Sequence, residues 1–100
     1  RIYGMTHYNA GQLFCLDTQT GNFIWQGPPR SANNVTFLAM PGYVAALINN
    51  GHLKILRSGT KQYDEVRSYK VAEDATWAAP VFLQGKILIK DVNTLTLWTY

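Results

Sequence analysis

The stretch Gly11-Gln12-Leu13-Phe14-Cys15-Leu16-Asp17 returns forty residues later as Gly51-His52-Leu53-Lys54-Ile55-Leu56-Arg57. A third relative, Asn93-Thr94-Leu95-Thr96-Leu97-Trp98-Thr99, follows forty-two residues after the second. Each is preceded by a short apolar run: Ile2-Tyr3-Gly4, Val44-Ala45-Ala46-Leu47 and Ile87-Leu88-Ile89. A fixed period of this length means that one supersecondary unit is used repeatedly, each copy burying its apolar face against the next.

Turn signals set the length of the pieces within each unit. Asn9-Ala10-Gly11, Thr20-Gly21-Asn22, Gly27-Pro28-Pro29, Pro41-Gly42, Asn49-Asn50-Gly51, Ser58-Gly59, Gln84-Gly85 and Asp91-Val92-Asn93 interrupt the chain at short intervals. Between them lie runs of roughly four to eight residues rich in β-branched and aromatic side chains, the composition and length of strands. Val, Ile and Thr make up 21 of the 100 residues, and no apolar stripe of helical period is present. The pattern predicts strands near residues 1–7, 12–17, 22–26, 34–39, 43–49, 52–57, 64–71, 76–83, 86–91 and 94–99, joined as antiparallel hairpins. Leu13-Phe14-Cys15-Leu16 and Ile87-Leu88-Ile89 do not alternate, so these two strands are expected to lie between two other layers. About four strands per period of about 40 residues is the pattern of a β-propeller blade.

Residues 15–25 narrow this further. They read Cys-Leu-Asp-Thr-Gln-Thr-Gly-Asn-Phe-Ile-Trp, with Asp17, Thr20, Gly21 and Trp25 at fixed spacings. This resembles the tryptophan-docking motif of β-propellers of the pyrroloquinoline-quinone repeat type, Ala-x-Asp-x-x-Thr-Gly-x-x-x-Trp. Cys15 stands where that family usually has Ala, one small residue for another. Physically, Asp17 is placed to accept hydrogen bonds from turn amides, with Thr20 in support. Gly21 supplies the positive φ of a bulged hairpin, and Trp25 carries a large ring to the neighbouring blade. The later stretch, from Tyr69-Lys70-Val71 through Thr76-Trp77-Ala78-Ala79-Pro80-Val81 to Leu95-Thr96-Leu97-Trp98, is similar to closing blades of bacterial members. The second repeat departs from the motif, with Arg57 in place of the turn Asp and no Trp near position 65.

At about 40 residues a blade, 100 residues hold about two and a half blades, where closed propellers use roughly four to eight. The repeats are expected at residues 1–27 (partial), 34–72 and 75–100 (partial), as the C-terminal blades of a larger propeller. β-Sandwich-like packing of these sheets is the alternative.

Composition removes several functions. The longest unbroken apolar run is Tyr43–Ile48, too short for a membrane-spanning helix, and no basic-then-apolar leader is legible at the start. The net charge of +3 comes from Lys and Arg scattered along the chain, whereas nucleic-acid binding needs clustered cations. Cys15 is the only cysteine, so it makes no internal disulfide.

His7 and His52 stand singly, without the second or third ligand a metal needs. Asp64-Glu65 and Glu73-Asp74 are adjacent pairs, and neighbours on a strand point to opposite faces, which does not build a glycosidase pair. No nucleophile triad or phosphate loop appears. Among the aromatics, Tyr8 and Tyr63 lie beside loops and are expected to be the exposed ones. Asn9, Gly11, residues 30–34 and Asn49-Asn50 are the candidate contact loops.

The resemblance implies a periplasmic or extracellular setting but does not carry the quinone with it, since no calcium or catalytic position of the quinoprotein dehydrogenases is matched. No catalytic residue, cofactor or metal is assigned. The expected function is a non-enzymatic interaction scaffold, like the propeller lipoprotein of the outer-membrane assembly machinery. Its partner would be another protein, or a second copy joined through exposed edges. The alternatives are part of a quinone-dependent dehydrogenase and a carbohydrate-binding propeller.

Overall fold

The computed structural model describes residues 1–73, 76 and 80–99. Among them the chain forms ten strands: β1 (Ile2–Thr6), β2 (Gln12–Leu16), β3 (Phe23–Gln26), β4 (Val35–Met40), β5 (Tyr43–Ile48), β6 (His52–Arg57), β7 (Glu65–Lys70), β8 (Val81–Leu83), β9 (Lys86–Lys90) and β10 (Leu95–Thr99). One 3-10 turn at Tyr8–Ala10 is the only helical piece among the described residues. The strands form three antiparallel sheets, β1-β2-β3, β4-β5-β6-β7 and β8-β9-β10. The chain is all-β, as its turn punctuation implies. The strand expected over residues 76–83 is seen as Val81–Leu83. Trp77 and its neighbours Asp74, Ala75, Ala78 and Ala79, with Tyr100, lie outside the described residues.

The sheets stack, with the four-stranded sheet in the middle. Strand period puts Ala46 and Ile48 on one face of β5 and Ala45 and Leu47 on the other. Ala46 and Ile48 pack with Ala32 and Met5 on the side of the first sheet. Ala45 and Leu47 pack with Leu53, Val71, Ile87 and Ile89 on the side of the third. Val44 through Ile48 are all buried, so β5 is covered on both faces.

The two strands expected in that position are not. In β2 only Leu13 and Cys15 are buried, and in β9 only Ile87 and Ile89. The outward residues Phe14, Leu16 and Leu88 are half-buried, because both strands belong to outer sheets. An apolar residue on each face of a strand states what could be covered, not what is.

The outer faces keep apolar rows as a result. In the first sheet, Ile2 pairs with Leu16, and Leu16 with Phe23; Ile2 and Phe23 are exposed. In the third, Val81 pairs with Leu88, and Leu88 with Leu97; Val81 and Leu97 are exposed, as are nearby Leu83 and Leu95.

Candidate functional site

The segment from Cys15 to Trp25 divides into two parts. At the solvent end, Asp17 organises the β2–β3 turn. Its Oδ1 accepts from the Gln19 amide at 2.9 Å, and its carbonyl accepts from the Gly21 amide at 2.8 Å. Its own amide donates to the Asn22 carbonyl at 2.9 Å. Thr20 Oγ1 accepts from the Asn22 amide at 3.3 Å, and Gly21 has φ +75°. A bulge between Cys15 and Leu16 resets the register beside this turn.

At the buried end, Cys15 and Trp25 are cross-strand partners on the face toward the middle sheet. They share a cluster with Leu13 and with Leu56 of β6, flanked by Val35 and Phe37 of β4. Trp25 is 6% exposed, and its ring meets Tyr3 at a centroid distance of 6.1 Å. The indole therefore crosses from the first sheet to the second. Asp17, Thr20 and Gly21 fix the hairpin that aims it.

Tyr63 completes this joint. It lies in the β6–β7 hairpin, and its ring stands edge-on to Trp25 at 5.3 Å, interplanar angle 78°. It also covers Gly27, where an added Cβ would come within 3.0 Å of the ring. The expectation of an exposed Tyr63 is thus corrected: the residue is half-buried, because the neighbouring sheet brings Trp25 beneath it. Tyr8 is exposed as expected. No local signal marks the burial of the Tyr63 ring, since Trp25 and Gly27, which it packs against, are nearly 40 residues away in the chain.

The Tyr63 hydroxyl donates to Glu65 Oε1 at 2.6 Å, and Glu65 also pairs with Lys54 Nζ at 3.4 Å. Burial, then the hydrogen bond to Glu65 and its charge, push the Tyr63 hydroxyl above its ordinary range. The folded state therefore holds this proton more tightly than the unfolded chain does. Stability is full below the ordinary tyrosine value of about 10 and falls as pH rises beyond it, where only the unfolded chain releases the proton. Tyr63→Phe is expected to flatten that alkaline limb in denaturation curves recorded from pH 8 to 11; an unchanged limb would assign it to other tyrosines.

The candidate contact loops are bound to one another. Gly11 and Gly51, at φ +94° and +88°, are met by the carbonyls of Ala32 and Ala72 in the links between sheets. An added Cβ would lie 1.6 Å from the Ala32 oxygen and 2.2 Å from the Ala72 oxygen. The Gly11 carbonyl accepts from the Ser31 amide and that of Gly51 from the Val71 amide, both at 2.8 Å. The two joints are the same contact, forty residues apart. Asn49 adds a clamp: its Oδ1 accepts from the amides of Asn33 and Asn34 at 3.2 and 3.1 Å, and its carbonyl from Thr76 at 3.0 Å. Asn9 gives its carbonyl to the Arg30 amide at 2.9 Å. Asn50 Oδ1 faces His52 Nδ1 at 3.1 Å.

The remaining candidates separate. His7 is exposed beside the 3-10 turn, and Asp64 is paired with Arg57 at 3.1 Å. Among the described residues, no group of three His, Cys, Asp or Glu side chains is placed to hold a metal. No protein-family model matches the chain, and comparison with curated proteins returns no match.

Proposed function

We propose that the chain is a run of β-propeller blades of the pyrroloquinoline-quinone repeat type, working as a non-enzymatic protein-interaction scaffold in a periplasmic or extracellular setting. The observation that carries this reading is the pair of apolar rows on the two outer faces, Ile2-Leu16-Phe23 and Val81-Leu88-Leu97. Exposed apolar residues arranged contiguously mark surfaces that other protein covers. The repeated glycine joint supports the same reading. It fixes one sheet on the next by backbone contacts, which suits a framework that presents loops and faces rather than one that closes on a substrate.

A photocrosslinking residue placed at Phe23 or at Leu97, in cells that make the protein, is expected to capture protein at both positions. One placed at exposed Lys61 should remain largely silent. Failure at both faces would overturn the scaffold reading. Dye-linked alcohol oxidation appearing on addition of the quinone and Ca²⁺ would replace it with the dehydrogenase reading.

A further inference from the structure

The two junctions of the stack share a framework but differ at one place. In the first junction Cys15 pairs with Trp25, just before a bulge at Cys15/Leu16. In the second, Ile55 pairs with Arg67, just before a bulge at Ile55/Leu56. The turns that follow are closed alike, Asp17 to Asn22 and Arg57 to Asp64, each through a 2.9 Å backbone hydrogen bond. Arg67 therefore holds the position of Trp25. Directly opposed residues of an antiparallel pair share a face, so Arg67 stands on the face of Ile55, toward the third sheet.

Where the indole fills the first junction, the second has a groove of about 430 Å³. Leu53, Ile55 and Tyr69 form one wall, and Phe82, Ile87 and Trp98 the other. Trp98 is fixed there by its indole N–H, which donates to the Val71 carbonyl at 2.9 Å. Small-molecule sites span roughly 300–1,000 Å³, so this one takes a single compact ligand. Lys70 lines it, exposed Arg67 stands beside it as the cross-strand partner of the lining residue Ile55, and no carboxylate is among its described lining residues. Its aromatic walls suit a flat ring, and its cations suit an anion.

We infer that this groove binds a small planar aromatic carboxylate, with its ring where the first junction holds Trp25 and its carboxylate toward Arg67 and Lys70. The site does not depend on whether the sheets belong to a propeller, so it stands or falls separately from the scaffold role. Titration of the protein with 2-naphthoate, followed by amide and indole N–H resonances, is expected to give saturable shifts at Trp98, Tyr69 and Val71. The dissociation constant should lie below about 1 mM.

Arg67→Trp supplies the missing indole from within and should weaken binding at least tenfold while raising the melting temperature. Arg67→Glu should weaken naphthoate binding about tenfold yet leave the neutral 2-naphthalenemethanol bound as before, a comparison that remains available if Arg67→Trp folds poorly. Unsaturable shifts, shifts centred on Phe14 and Phe23 instead, or naphthoate binding unchanged in Arg67→Glu would overturn the assignment.

Discussion

Trp25→Ala is expected to cost the protein ~3–5 kcal/mol, the range for emptying a buried large aromatic site. The indole lies between the first and middle sheets, with Tyr63 and Tyr3 against its ring and Leu56 in the same buried cluster. Their anchoring in two different strands and a hairpin limits how far they can collapse into the void. Cys15 gives a direct readout, because its side chain is fully buried beside Trp25 and it is the only thiol in the chain. In the wild type a thiol reagent should react only as fast as the protein opens. In Trp25→Ala the thiol should label much faster, and urea denaturation should show the lost stability. A loss below ~1 kcal/mol would be that of a surface change and would remove Trp25 from the role of joint.

Gly11→Ala and Gly51→Ala form the second large expectation. An L-residue at positive φ costs roughly 1–2 kcal/mol, and forcing atoms into a packed contact typically adds roughly 1–3 kcal/mol. Both apply here, since the added carbon would fall on the Ala32 or Ala72 carbonyl. Gly21→Ala is the control. Its φ is +75°, but nothing lies within 4 Å of the added carbon, so only the conformational cost is expected. Losses of roughly 2–5 kcal/mol at the joints against roughly 1–2 kcal/mol at Gly21 would establish the carbonyl contact as structural. Hydrogen exchange should localise the damage to the Ser31 and Val71 amides, which donate across the two joints. Equal losses at all three glycines would leave only the backbone preference.

Strands were legible because their limits are written locally. Pro41-Gly42 and Gln84-Gly85 state where hairpins turn, and β-branched runs between such signals have few other conformations to choose. The turn made by Asp17, Thr20 and Gly21 was legible for the same reason, as every partner lies within a few residues. Coverage was not. Leu88 is as apolar as Ala46, yet Ala46 faces the first sheet and Leu88 faces outward, a difference set by the order of stacking. Tyr63 escaped for a related reason. It sits in a hairpin two residues longer than its counterpart, residues 57–64 against 17–22, so no forty-residue offset points to it. The same insertion moves the counterpart of Trp25 to Arg67, beyond position 65, which a forty-residue offset from Trp25 marks.

The pairing of every strand with its immediate neighbour in the chain bears on how the protein reaches this structure. All-β proteins tend to fold slowly because distant segments must meet before any pairing offsets the entropy of closing the loop between them. Here each registered pair among the described residues joins consecutive strands. A hairpin can therefore form as soon as its second strand leaves the ribosome, and β4 to β7 can assemble without waiting for β8 to β10. Only docking of one finished sheet on the next joins segments far apart in the chain, and the Gly51 contact with Ala72 lies at the short link where two sheets meet. Maturation is then a sequence of small local events running from the first sheet to the last, in the order of synthesis.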